Sequence, residues 1–290
     1  MLTHPKQMTV VSGKGGTGKT TVVGSFAALA TNKVLADCDV DAANLYQILD
    51  PTMKESADFF GAQIPVRDES LCIKCGKCEE ACRFGAITAE TINELACEGC
   101  GFCTIVCPTD ALKMKQIACG QWHRADTRFG PLVYARLIPG SESSGRLVTM
   151  VRQKAEDVAL ETQTPLIIID GAPGIGCVAT AAITDVDLAL IVTEPTLAGI
   201  HDMERVADLI HHFNIPMAVI NNKYDVNEAN SQQIRDYCQQ HDVELLAELP
   251  YDETVTEAMI EGVPLVEYRD GLVGQGIRKA WSRLEELLEV

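Results

Sequence analysis

Continuous apolar runs alternate along this chain with stretches whose apolar residues recur every three or four positions. Met8, Val10 and Val11 form the first run, and Val22, Val23, Phe26, Ala27, Leu29 and Ala30 follow at helical spacing. Further runs over 33–38, 132–138, 166–169, 187–192, 217–220 and 243–249 predict strands. Helical patterns are predicted between or after them: Leu147, Val148, Val151, Ala155, Val158 and Ala159, then 199–213, 230–240, a short piece near Val255, and 271–288. Strands that are apolar throughout, with no alternation, belong to sheets buried on both faces. The expected fold class is therefore α/β, a doubly wound and mostly parallel sheet with helices on both sides. A helix beginning near Ala42 is expected to close at Pro51, and 120–145 is otherwise expected to be irregular, with a loop over 139–145.

Between the first strand and the first helix lies Ser12-Gly13-Lys14-Gly15-Gly16-Thr17-Gly18-Lys19-Thr20-Thr21, a full match to G-x-x-x-x-G-K-[ST] in the strand-to-helix context that the motif requires. Glycines without Cβ atoms let phosphate approach the backbone, and consecutive N–H groups at a helix start supply positive potential. Gly13 through Thr21 are thus the predicted nucleotide cradle, with Lys19 at the distal phosphates and Thr20 at Mg2+. The apolar run 166–169 ends in Asp170, the position from which a carboxylate downstream of a P-loop holds Mg2+. The run 33–38 ends in Asp37-Cys38-Asp39-Val40-Asp41. Carboxylates at the carboxyl ends of such strands face the ligand crevice, although Asp39 and Asp41 also suit the cap of a following helix.

The composition changes over 62–116. Cys72, Cys75, Cys78 and Cys82 are repeated 25 residues later as Cys97, Cys100, Cys103 and Cys107, with Gly76 matching Gly101 and Gly85-Ala86-Ile87 matching Asp110-Ala111-Leu112. This spacing is similar to that of bacterial two-cluster ferredoxins, where the fourth cysteine of each set serves the other cluster. The resemblance implies one 4Fe-4S cluster on Cys72, Cys75, Cys78 and Cys107 and a second on Cys97, Cys100, Cys103 and Cys82. Arg83 departs from the pattern, standing where such ferredoxins place a proline; Pro108 keeps it in the second set. The expected organisation is a discontinuous P-loop domain, residues 1–61 and 117–290, interrupted by an α+β ferredoxin domain at 62–116.

The charge balance of 24 basic against 41 acidic residues, net −17, disfavours nucleic acid and anionic lipid as direct partners. The amino-terminal residues show no apolar leader and no run reaches membrane-spanning length, so a cytoplasmic protein without a stable membrane anchor is expected.

Lys14 distinguishes this P-loop. The string Lys14-Gly15-Gly16-Thr17-Gly18-Lys19-Thr20 resembles the deviant Walker A motif of the MinD, ParA, Mrp and nitrogenase-iron-protein superfamily of ATPases. The resemblance implies ATP and Mg2+ as ligands and a homodimer closed through the nucleotide, with Lys14 reaching the partner's ATP. It also implies that Asp39 orients the attacking water, that Gly174 lies near the γ-phosphate, and that Asn222 neighbours adenine. Asn222-Lys223-x-Asp225 also fits the guanine-reading N-K-x-D. On this reading Lys14, Lys19 and Asp39 are the catalytic set. Two functions follow as expectations. One is an ATPase coupled to iron-sulfur chemistry, passing electrons or handling clusters for a redox or iron-sulfur partner protein. The alternative is a positioning or assembly ATPase of the MinD type in which the clusters are structural or redox-sensing. Cys38, Cys119, Cys177 and Cys238 are expected to be buried thiols.

Overall fold

The computed structural model describes residues 4–141 and 144–290. Residues 1–3 of the predicted leaderless start, and residues 142 and 143 of the predicted loop over 139–145, lie outside the described residues.

In chain order the elements are β1 (Lys6–Ser12), α1 (Lys19–Leu29), β2 (Lys33–Asp37), α2 (Tyr46–Leu49), β3 (Thr52–Phe59), β4 (Ala62–Arg67), α3 (Lys77–Ala81), α4 (Phe102–Ile105), β5 (Leu112–Ile117), β6 (Gly120–Thr127), β7 (Gly130–Leu137), α5 (Ser144–Thr162), β8 (Leu166–Pro173), α6 (Cys177–Ile183), β9 (Leu188–Thr193), α7 (Leu197–His212), β10 (Met217–Asn222), α8 (Glu228–Gln240), β11 (Glu244–Leu249), α9 (Thr254–Ile260), α10 (Leu265–Tyr268) and α11 (Leu272–Leu288). Nine strands form one sheet in the order β11-β10-β9-β1-β8-β2-β7-β6-β3. From β11 to β7 every neighbouring pair is parallel, whereas β7–β6 and β6–β3 are antiparallel. The doubly wound expectation therefore holds.

Two apolar layers flank this sheet. One gathers α1, α10 and α11 around Phe26, Leu49, Ile277, Trp281 and Leu284; the other gathers α5, α6, α7 and α8 around Val151, Ile183, Met203, Ile210 and Ile234. Central strands β1 and β8 are buried along most of their length, as their unbroken apolar runs require. Helix α1 is apolar nearly all round because it is covered on its outer side by α10 and α11.

Two strands of the main sheet lie outside the predicted runs. The stretch after Pro51, Thr-Met-Lys-Glu-Ser-Ala-Asp-Phe, forms the outermost strand β3, exposed over nearly its whole length, and its partner β6 runs through 120–127 where irregular chain was expected. An edge strand with charged side chains lacks an apolar signature and discourages pairing with another chain. The helix expected from Ala42 is only the single turn α2, ended by Asp50 in the left-handed region.

Between β3 and β6 the chain leaves the main sheet. The two-stranded antiparallel sheet β4–β5, registered Ala62↔Ile117 to Arg67↔Leu112, supports the segment that carries the repeated cysteines. The internal duplication is visible in the backbone: Lys74, Gly76 and Gly85 take positive φ, and so do Gly99, Gly101 and Asp110, each 25 residues further on. Gly76 and Gly101 each open a short helix, and Ala86-Ile87 and Ala111-Leu112 are the matching buried pairs.

The ferredoxin part of the expected fold needs correction. Among the described residues no group of three or more His, Cys, Asp or Glu side chains is able to hold a metal ion. A metal-binding ferredoxin domain is therefore not supported, and what remains is a duplicated two-stranded insertion on a P-loop fold.

Candidate functional site

The glycine-rich loop runs from the end of β1 into α1. Gly18 precedes the helix in the left-handed region at φ 98°, and among the described residues no side chain caps that helix start. The first-turn N–H groups thus face a place suited to an anion. Around Gly15 and Gly16 a Cβ would meet nothing within 4 Å among the described residues, so the loop's outer face is open there. Its inner face is tightly seated. A Cβ on Gly13 would lie 2.3 Å from Asp202 Cβ, and one on Gly18 would lie 2.5 Å from Asn222 Nδ2, which fixes glycine at both positions. Lys19 is buried, and the buried Thr17 hydroxyl has no partner among the described residues.

Asp170 and Asp37 occupy matching positions at the carboxyl ends of parallel strands β8 and β2. Both are fully buried. Burial pushes both carboxyls well above the ordinary carboxylate range; Asp170 repels Asp37 further, while Lys19 opposes the rise at Asp170. Asp37 accepts three backbone N–H bonds, from Asp39 (3.1 Å), Asn44 (3.1 Å) and Leu45 (3.1 Å), and so holds the loop after β2 in place. Neither oxygen of Asp170 makes a well-formed hydrogen bond among the described residues, and the nearby Thr20 hydroxyl together with Lys19 only offsets part of the rise that burial imposes. Mg2+ is commonly held through one or two carboxylates plus nucleotide phosphates, with no all-protein cage. A buried carboxylate without a well-formed hydrogen bond, beside a P-loop lysine, fits that chemistry. Asp39 is half-buried; burial raises its carboxyl and Lys19 lowers it. The Thr20 hydroxyl donates to Asn44 Oδ1 (3.0 Å), tying the start of α1 to the same loop.

Lys14 is held within its own chain. Its Nζ pairs with Glu194 Oε1 at 2.6 Å and donates to Thr196 Oγ1 at 3.1 Å. Lys223 Nζ takes the other Glu194 oxygen at 3.1 Å and donates to the Gly16 carbonyl at 3.2 Å. Burial alone would raise the Glu194 carboxyl, but hydrogen bonds from the two lysines prevail and hold it below the usual carboxylate range. Asn222 Nδ2 donates to the Thr17 carbonyl at 2.8 Å, so the end of β10 fastens the P-loop from below. Asp225 Oδ1 accepts from the Tyr251 backbone N–H at 2.7 Å. Gly174, at φ 89°, donates its N–H to the Ser12 carbonyl (2.8 Å), which ties the turn after Asp170 to the base of the loop. The Thr21 hydroxyl points to Met259 Sδ at 3.6 Å.

These contacts bring Gly13 to Thr21, Asp39, Asp170, Gly174 and Asn222 around one loop. The sequence reading missed Asp37, Asn44, Glu194, Thr196 and Lys223. Asp37 and Lys223 stand inside Asp37-Cys38-Asp39-Val40-Asp41 and Asn222-Lys223-x-Asp225, whereas Glu194 carries no motif of its own.

The eight repeated cysteines lie elsewhere, in the insertion. Cys72, Cys75, Cys78 and Cys107 line one cavity and Cys82, Cys97, Cys100 and Cys103 another, and all are free, partly or fully exposed thiols. Coordination needs side chains gathered into one ligand group, and among the described residues no such group of three or more is present. The two predicted 4Fe-4S clusters are not supported, and the electron-transfer or cluster-handling role and its redox partner lose their basis. Cys38, Cys119 and Cys238 are buried as expected, but Cys177 is exposed at the start of α6.

The fold and loop define a P-loop nucleoside triphosphatase. The sequence profile of the CobQ/CobB/MinD/ParA nucleotide binding domain matches residues 8–265, and the chain belongs to that family. Its enzyme class is that of a P-loop ATPase. It is 31% identical over 286 residues to an uncharacterised protein of Methanocaldococcus jannaschii, covering 97% of each chain. A 53-residue stretch, 18% of this chain and 65% of the other, is 40% identical to pyruvate synthase subunit PorD of Methanothermobacter marburgensis. Among solved structures, the septum site-determining protein MinD of Pyrococcus horikoshii, complexed with Mg-ADP, is similar in fold with a TM-score of 0.61 at 20% identity, covering 98% of this chain and 97% of that one. Among the described residues no helix is long and apolar enough to cross a membrane.

Proposed function

We propose that this protein is a MinD-like positioning or assembly ATPase that switches between a nucleotide-free or ADP-bound monomer and an ATP-bound homodimer. The observation that carries the reading is the meeting of two features around one loop: Asp170 of β8, buried with neither oxygen hydrogen-bonded beside Lys19, and Lys14 of the loop itself, held at the surface by Glu194 and Thr196. The first suits Mg2+ with a nucleoside triphosphate, and the second is an extra lysine that ordinary phosphate binding does not use. The Mg-ADP complex of the Pyrococcus horikoshii relative supports the choice of adenine nucleotide.

In this reading the Gly13–Thr21 backbone and Lys19 would cradle the phosphates, and Asp170 and Thr20 would hold Mg2+. The metal would neutralise charge that builds on the phosphate oxygens during transfer. Asp39, on the loop that Asp37 anchors, positions water; its raised carboxyl suits a group that accepts a proton briefly. Thr20 and Asn44 link the phosphate end of α1 to that loop, so occupancy of the loop is felt at Asp39. Asn222 supports the loop through Thr17 and stands beside the base.

Calorimetric titration with Mg-ATP, Mg-ADP and Mg-GTP, followed by light scattering with a non-hydrolysable ATP analogue, tests the reading. Expected are adenine-selective binding that requires Mg2+, a loss of at least about a hundredfold in affinity for Lys19→Ala, and dimers with the ATP analogue but not with ADP. Lys14→Ala is expected to keep nucleotide binding and lose the dimer. A chain that stays monomeric with the analogue at concentrations far above its nucleotide affinity would sink the switch reading.

A further inference from the structure

Glu194 serves two lysines at once. Its side chain is only 14% exposed, one oxygen meets Lys14 and the other meets Lys223. A buried carboxylate that loses its sole cation is left as an uncompensated charge, which is costly; one that keeps a second cation is not. The two ammonium groups also repel each other across the shared carboxylate, so each weakens the other's hold. Each lysine has one further partner, and they differ in what that partner is: Lys223 is tied to the loop backbone, Lys14 to the Thr196 hydroxyl. Lys223 is anchored by the Gly16 carbonyl, and its neighbour Asn222 is bonded to the Thr17 carbonyl. Lys14 directly precedes Gly15 and Gly16, at which an added Cβ would meet nothing within 4 Å among the described residues, so the chain beside it is open. Its second partner, Thr196 Oγ1, already accepts from the Gly199 N–H at the start of α7 and is left satisfied when Lys14 departs.

We propose that Lys223 is a positioning residue for Lys14: it keeps Glu194 paired while Lys14 swings out toward a second copy of the chain, and thereby sets how readily Lys14 is released. This rests on the reading of Lys14 as the residue that crosses between subunits. The release is an exchange of partners. Glu194 goes from two cations to one, Lys223 retains both its contacts, and no buried group is stranded. Without Lys223 the same movement would leave Glu194 alone, and Lys14 would be held back.

The test is a cycle of Lys223→Met, Glu194→Gln and the double variant in the full-length protein, with Lys223→Arg as the conservative control. Lys14 release is read directly, without dimers, by the rate at which an amine-reactive ester acylates it, resolved by peptide mass spectrometry. Dimer formation with a non-hydrolysable ATP analogue is read separately by light scattering. In Lys223→Met, acylation of Lys14 is expected to slow by about threefold to tenfold, with dimer formation weakened by a similar factor. Lys223→Arg is expected to restore both, and in the Glu194→Gln background Lys223→Met should no longer change the acylation rate. A Lys223→Met variant whose Lys14 labels at the wild-type rate or faster would overturn the proposal. So would an equal slowing with Glu194→Gln present, which would assign Lys223 a role in loop structure only. If acylation follows the expected pattern while the wild type forms no dimer with the analogue, it is the crossing of Lys14 between subunits that fails, and the partner exchange at Glu194 stands.

Discussion

Phe26 in α1 is fully buried and lies against Trp281 with ring centroids 5.1 Å apart, whereas Phe102 in α4 of the insertion is half exposed. The contrast extends to whole regions. Two apolar layers sandwich the parallel sheet, but neither includes a residue of the insertion, whose own buried apolar side chains include Ile64, Ala86, Ile87, Ala111 and Leu112. In the body, packing determines the backbone; in the insertion, duplicated left-handed turns and a short two-stranded sheet do so. Nucleotide chemistry lies where backbone position is over-determined, because a phosphate cradle works only if its N–H groups and Asp170 stay in register. The insertion is free of that demand.

Substitutions on either side sharpen the comparison. Phe26→Ala should cost about 3–5 kcal/mol in urea unfolding, since a rigid layer cannot close the cavity. A loss below about 1 kcal/mol would show the body to be as compliant as the insertion.

Asp170→Asn should separate stability from function. Burial raises the Asp170 carboxyl, so the folded state holds a proton that the unfolded state has already released. Stability is therefore fully present below the unfolded carboxylate value, near 3.8, and is lost as pH rises through the higher folded value. Nucleotide-free Asp170→Asn should escape that loss and exceed the wild type by about 1–3 kcal/mol at pH 8, with no advantage near pH 4. Its nucleotide binding should at the same time lose its dependence on Mg2+. Urea unfolding at the two pH values, with titrations at fixed nucleotide, measures both.

Asn222→Ala frees the Thr17 carbonyl and should weaken nucleotide binding by about fivefold to tenfold, roughly one hydrogen bond's worth, while leaving the unfolding midpoint nearly unchanged. At the small end, Phe102→Ser should alter stability by less than about 0.5 kcal/mol and leave nucleotide affinity at the wild-type value. A larger effect on either would mean that the insertion and the body share more packing than the two apolar layers imply.

The sequence made the body legible because its chemistry and packing coincide. Unbroken apolar runs mark β1, β8 and β9, and the glycine spacing of the P-loop defines its turn. Less legible were contacts between distant segments. Glu194 meets Lys14 across 180 positions, and nothing in Thr193-Glu194-Pro195 announces a shared counter-ion. Asp37 is hidden for a different reason: Asp39, two residues on, matches a known role, while Asp37 acts on backbone N–H groups that sequence does not display. Strand β3 lacks a signature because an exposed edge needs no apolar periodicity, and its inner neighbour β6 buries only Gly120, Trp122 and Ala125 among polar residues, too few to read as an apolar run. In the insertion the duplication was read correctly, as the paired positive φ angles show, but the step from cysteine spacing to metal was not supported, since spacing fixes order along the chain and leaves the convergence of side chains open.

The insertion leaves the main sheet after Phe59 and returns at Gly120, two residues paired with each other across β3 and β6. Its two attachment points are thus neighbours on one antiparallel ribbon at the rim of the sheet, remote in sequence from the loop that binds nucleotide. Such a segment can be gained, exchanged or shed in one recombination event, with a tight turn closing the gap, while the surrounding gene continues to encode an intact fold. The edge ribbon is in this sense a socket, and relatives of this chain are free to evolve the plugged-in part at a different pace from the rest.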